Sequence, residues 1–168
     1  AYSYAFLGID READNLKAVH GEVQGNSNLY YQFFTGSRGT ELTSENTKIH
    51  SLLDPNSSEY RGNGKTDEIA RSSFYFNSIG RPNYLSGYFT RSNGFPLVSY
   101  SENLLTLAES GLRSKNFYTG LSHLNEFRGY MAGGGYLNNG YDTLSLKYNP
   151  YLQTDFESGG IENKDSQS

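Results

Sequence analysis

Tyrosine and arginine supply the side chains able to do chemistry in this chain. They fall in three stretches: Tyr30, Tyr31 and Arg38; Tyr60 and Arg61; and Tyr75, Arg81, Tyr84 and Tyr88. A sugar ring presents an apolar C–H face and a rim of hydroxyls. A tyrosine can stack on the face and hydrogen-bond the rim with its own hydroxyl. Arginine adds a rigid fork of donors. Such a set suits capture of a polyhydroxylated ligand with no bond broken. The same residue types also build cores, and Phe33 and Phe34 read that way. Tyr60, Tyr84 and Tyr88 lie among Gly, Asn and Ser and are expected at the surface.

No catalytic or metal-binding pattern competes with this reading. His20, His50 and His123 are isolated, with no HExxH spacing. There is no GxSxG elbow. Gly133 to Gly135 follows a helix without a GK[ST] ending and reads as a linker. Asp54, Asn56 and Ser58 alternate as in a calcium loop, but Glu59 and Lys65 stand where that loop needs Gly and Glu. Glycoside hydrolysis needs two facing carboxylates. Glu102 is accounted for by capping and Glu109 by a solvent face, while Asp54, Asp67, Asp142 and Asp155 form no pair that the sequence reveals. No cofactor or metal is expected, and no catalytic residue is named.

The composition fits a folded domain with a polar, weakly charged surface. Aromatic residues reach 15%, with 15 Tyr and 10 Phe, against 35% hydrophobic residues in all. Aromatic content that high argues against disorder and for a core of rings and leucines. Charged residues are only 19% and the net charge is -4, with no cluster of Lys or Arg, so nucleic acid and anionic membrane are poor partners. Cysteine is absent, which rules out disulfides and thiolate sites. No apolar run is long enough to span a bilayer.

The elements that must position these side chains are mainly helical. Ser99 followed by Glu102 predicts a capping box. Leu104, Leu105, Ala108 and Leu112 then repeat at helical spacing. Lys115–Asn116 interrupts the pattern, and Phe117, Leu121, Leu124 and Arg128 resume it, so 96–131 is expected to be an antiparallel helical hairpin. Ala108 and Gly120 would let its two axes approach closely, as in tetratricopeptide-type repeats. Upstream, Tyr2 to Gly8 reads as the end of a helix, and Leu29 to Phe34 and Ile69 to Ile79 as strands. Thr43 to Leu53 reads as a helix capped by Ser44, and Arg81 to Gly94 as an ordered irregular loop. Asn138 to Gly140 marks a turn, and Tyr148 to Phe156 a short helix opening after Pro150. The chain thus divides into a loop-rich side (28–94), the hairpin (96–131) and an irregular polar tail (132–168).

The stretch PLVSYSENLLTLAESGLRSKNFYTGLSHLNEFRG resembles the helical hairpin of the SusD and RagB family of outer-membrane nutrient-binding lipoproteins. The matching residues are Pro96, Leu97, Val98, Tyr100, Glu102, Leu105, Ala108, Glu109, Leu124, Asn125 and Arg128. NLYYQFFTGSRG (28–39) and YNPYLQTDFESGGI (148–161) resemble further segments of that family. Gly111 and Gly120 stand where the family shows alanine, a departure costing roughly 1 kcal/mol each in a helix interior. The resemblance implies an α-α superhelix with a tetratricopeptide-like hairpin, long irregular loops and little β structure. It also implies a lipoprotein on the cell surface at the outer membrane, touching the membrane only through a lipid anchor. Such a protein holds oligosaccharide for a SusC-like TonB-dependent porin. The family's leader and lipidated cysteine are not in this sequence, so the chain is expected to be an internal segment of a longer protein. A protein-interaction scaffold and a peptide-capture lipoprotein of the same family are the alternatives.

Overall fold

Ser99 begins the largest unit. In the computed structural model, which describes residues 9–37, 39–41, 43–137 and 146–163, its hydroxyl accepts from the Glu102 N–H and starts helix α4 (Tyr100–Arg113). Ser99 is thus the cap, but the Glu102 side chain does not complete the box. Helix α4 ends in a Schellman-type closure: Lys115 N–H bonds the Leu112 carbonyl and Asn116 N–H the Gly111 carbonyl. Lys115 takes the left-handed conformation (φ 59°) that glycine usually fills there. Asn116 then caps α5 (Phe117–Ala132) through the Thr119 N–H. The expected hairpin is present, with the connection where Lys115–Asn116 marked it.

The line of contact between its helices differs from the leucine stripe. Leu104, Ala108 and Gly111 are buried, whereas Leu105 and Leu112 are 44% and 51% exposed. The two glycines explain the rotation. A methyl on Gly111 would lie 2.6 Å from the Gly120 nitrogen, so backbone meets backbone at this crossing. What looked like a helix-weakening departure at Gly111 and Gly120 is the condition for the close approach.

Three shorter helices precede the hairpin: α1 (Leu29–Thr35), α2 (Lys48–Leu53) and α3 (Ile69–Tyr75). Among the described residues helices take up 42% and strand 10%, so the fold is mainly α. Helices α1 and α3 replace the expected strands. Asn28 decides α1, since its side chain accepts from the Tyr30 N–H, and Tyr30 and Phe34 then share a face with rings 6.4 Å apart. In α3 the Asp67 carboxylate takes the Ile69 N–H (2.8 Å) and favours a helical start. Helix α2 is shorter than predicted. Thr47, not Ser44, accepts from its first turn, while Ser44 is buried and bonds Gly80 through its N–H.

Two small antiparallel ribbons tie distant segments together. Strand β1 (Leu16–Ala18) pairs with β3 (Phe95–Val98), with an irregularity between Leu16 and Lys17. Strand β2 (Thr66–Asp67) pairs with β4 (Lys147–Tyr148). The helix expected over 148–156 is therefore a strand end followed by a 3₁₀ turn at Gln153–Asp155. Residues 76–94 form the expected ordered loop, anchored by Tyr88 N–H to the Phe74 carbonyl (2.9 Å) and Asn83 N–H to the Tyr75 carbonyl (2.9 Å). The expected helix end at Tyr2 to Gly8 and the turn at Asn138 to Gly140 lie outside the described residues.

The core is aromatic and leucine-based, as composition implied: Phe74, Phe76, Leu53, Leu104, Met131, Tyr148 and Tyr151 are buried, with Ile9. Arg128 is a polar joint in it, 5% exposed and, among the described residues, without a carboxylate ion-pair partner. Its guanidinium donates to the carbonyls of Asn149 (2.7 Å) and Lys65 (2.9 Å) and to the Thr66 hydroxyl (2.9 Å). It also lies 3.8 Å from the Tyr151 ring centroid. One turn earlier, Asn125 exchanges two hydrogen bonds with the Tyr151 backbone (2.9 and 2.7 Å). Asn125 and Arg128 thus bind the YNPY segment to α5.

Candidate binding cleft

Phe74 is fully buried at the base of a cleft of about 450 Å3, within the rough 300–1,000 Å3 range of small-molecule sites. Four tyrosines line it, each from a different part of the chain. Tyr75 ends α3, Tyr88 comes from the irregular loop, Tyr130 from the last turns of α5 and Tyr136 from the turn that follows. Phe74 meets Tyr88 and Tyr136 edge-on, with centroids 5.9 and 5.8 Å away. Tyr75 and Tyr88 lean together at 5.1 Å. Gly87 is needed here: a methyl on it would fall 2.0 Å from the Phe74 carbonyl, and the loop could not bring Tyr88 in.

The glycines at 133–135 are a built turn and not a linker. Gly134 is left-handed (φ 74°), and the Tyr130 hydroxyl donates to the Gly135 carbonyl. That bond fixes one phenol and carries the chain on to Tyr136. The Tyr136 hydroxyl is buried with no partner at hydrogen-bond geometry. Its neighbour Tyr148 donates instead to Glu68 (2.7 Å).

Around the phenols the lining is neutral and polar. Asn15, Thr90, Ser92, Asn93, Ser99 and Ser101 contribute amides and hydroxyls. Asn15 accepts from the Tyr100 N–H (2.6 Å), and Asn93 donates to the Tyr88 carbonyl (2.6 Å), so both are held in place by the backbone. Among the described residues Lys17 is the one charged residue in the lining, which holds no described Asp, Glu, His or Arg. Burial pushes the phenols of Tyr88, Tyr130 and Tyr136 up to about 12 and raises that of Tyr75. At neutral pH the four are therefore uncharged, and the Tyr130 hydroxyl, its proton given to Gly135, remains an acceptor.

The nine tyrosines and arginines singled out from the sequence do not converge. Tyr75 and Tyr88 line this cleft, though Tyr88 is half-buried rather than exposed. Tyr60 and Arg61 border a second depression of about 290 Å3 with Lys48, Glu59 and Glu162. There the Tyr60 hydroxyl is occupied, accepting from the Glu68 N–H (3.1 Å) beside Asp67, and Lys48 pairs with Glu59. Tyr30, Tyr31 and Tyr84 belong to packing. Tyr30 lies against Phe34, Phe89 and Phe95. Tyr31 meets the Tyr84 ring edge-on and carries the Arg91 guanidinium 5.0 Å above its centre. The Arg81 backbone closes a turn on Asn77. Arg38 lies outside the described residues. Sequence reasoning missed Tyr130 and Tyr136. The signal for them was a glycine turn set between two tyrosines at a helix end.

Compared with family models, curated proteins and solved structures, the chain matches none of them. Among the described residues no helix is long and apolar enough to cross a membrane.

Proposed function

We propose that this chain belongs to a SusD/RagB-like nutrient-binding lipoprotein, which captures oligosaccharide at the cell surface without breaking it. In this reading the protein is held at the outer membrane by a lipid outside this sequence and passes its ligand to a TonB-dependent porin. Helices α4 and α5 are a tetratricopeptide-like hairpin of a larger α-α superhelix.

The observation that carries the binding function is the cleft of four neutral tyrosines rimmed by amides and hydroxyls. Sugars ask for flat apolar faces beside groups that both donate and accept, and phenols give both. Among the described residues the lining offers no carboxylate or imidazole to act as general acid or base, which supports capture over hydrolysis. The hairpin motif is also consistent internally: its Asn125 and Arg128 clamp the YNPY segment, which belongs to one of the two further stretches resembling the family.

The test is calorimetric titration with plant, host and starch oligosaccharides, and mixed peptides as control. One glycan class should bind, and Tyr88→Ala should weaken it about tenfold or more, while Tyr60→Ala leaves it unchanged. Loss only with Tyr60→Ala would move the site to the second depression. A peptide signal alone would make this a peptide-capture protein. One observation favours a scaffold reading: Leu97, Leu105 and Leu112 stand exposed on and beside α4, and silence to every small ligand would favour it.

A further inference from the structure

Resting on the glycan-capture reading, we infer that the cleft selects acidic oligosaccharides, with the Lys17 ammonium taking a carboxylate carried by one of the sugar rings. Among the described residues fifteen line the cleft, and Lys17 is the only one of these with a charge. A site meant for neutral sugars has no use for an unpaired cation at its mouth. Among the described residues Lys17 makes no ion pair, whereas Lys48 and Lys65 each hold a carboxylate.

The backbone delivers this side chain specifically. Lys17 faces Pro96 across the β1–β3 ribbon, directly after the irregularity at Leu16/Lys17. Such irregularities re-aim a side chain relative to a regular ladder. The lysine stem runs beside Gly94, where a methyl would come within 3.5 Å of its Cβ. A lysine stem lying on backbone leaves its head free to reach outward.

The remaining charges near the cleft leave Lys17 dominant. Glu68 and Arg71 lie behind the tyrosines, paired at 3.5 Å, and Glu68 also accepts from Tyr148. Glu12 is within electrostatic reach of Tyr130 but does not line the cleft. The tyrosine hydroxyls reinforce the preference, because O–H donors to a carboxylate form stronger hydrogen bonds than donors to a neutral hydroxyl. A uronic acid therefore satisfies the ammonium and the phenols together, while a neutral hexose leaves the ammonium to water.

The experiment titrates the protein with trigalacturonate, with the same trimer fully methyl-esterified, and with a neutral trisaccharide. Esterification removes the charge and keeps the rings and hydroxyls. The acid should bind about tenfold more tightly than the ester, as expected of one charge-assisted contact, and less so in high salt. Lys17→Met should erase that difference and Lys17→Arg should keep it; Lys17 is exposed, so both variants fold. Equal binding of acid and ester would overturn acid selection and leave glycan capture standing. A preference that survives Lys17→Met would overturn the role of Lys17. Binding of none of the three would count against the cleft as a glycan site and against this inference together.

Discussion

The hairpin makes a prediction in which one chemical change has opposite signs at two positions. Gly111 and Gly129 both lie within helices, and replacing either by alanine gains roughly 1 kcal/mol of helix propensity. At Gly129 a methyl would meet nothing within 4 Å, so that gain is realised. At Gly111 the methyl would stand 2.6 Å from the Gly120 nitrogen and 2.9 Å from its Cα. Ordinary contact begins at 3.4 Å, so the helices must part by about 0.8 Å. The obstruction is backbone, which cannot rotate aside. Overpacking costs about 1–3 kcal/mol, and a gap of this size forfeits a quarter to a half of each dispersion contact along the seam. Gly111→Ala should therefore destabilise by about 1–2 kcal/mol net, and Gly129→Ala should stabilise by up to about 1 kcal/mol. Since each kcal/mol moves the midpoint by roughly 2–4 °C at this size, the two variants should melt on opposite sides of the parent in circular dichroism. A Gly111→Ala protein as stable as the parent would refute the close crossing.

Two further outcomes follow from buried polar groups. Arg128→Lys keeps the charge but cannot bond Asn149, Lys65 and Thr66 while stacking on Tyr151; it should cost about 2–4 kcal/mol, with hydrogen exchange accelerating first at residues 147–151. Unchanged protection there would show that the clamp is not what holds that strand. Tyr88, Tyr130 and Tyr136 keep their protons in the fold up to about 12, against 10 when unfolded. Above pH 10 the unfolded chain releases protons that the fold retains, so the stability these groups contribute is present below 10 and is lost as the pH climbs towards 12. Melting midpoints should fall over that interval, less steeply in Tyr136→Phe; a flat profile would place the phenols in solvent.

Parts of this architecture were legible in the sequence because they rest on local chemistry. Ser99, Lys115 and Asn116 signal where helices begin and end, and those signals act through neighbouring backbone groups. The stripe was misjudged at Leu105 and Leu112 because the crossing point is set by the absence of a side chain at Gly111 and Gly120. Hydrophobic periodicity does not register an absence. Segments 29–34 and 69–79 failed for a different reason: short aromatic runs suit strand or helix equally, and a single Asn28 or Asp67 side chain tips the balance. The cleft was half legible. Tyr75 and Tyr88 stood out by residue type, but their convergence with Tyr130 and Tyr136 needs a glycine turn at 133–135 and a loop pinned onto α3. Nothing in local spacing predicts that meeting.

The Arg128 clamp also bears on the order in which the fold can close. Thr66 and Glu68 are synthesised long before the tyrosines that satisfy them, Tyr148 and Tyr151. Arg128 finds two of its acceptors in Lys65 and Thr66, but its third acceptor and its stacking ring come from Asn149 and Tyr151. Without that later segment the guanidinium keeps its bonds to residues 65 and 66 but loses the carbonyl and the ring that complete its burial. A chain cut before residue 149 should therefore form its helices and yet pack its hairpin loosely against residues 63–68.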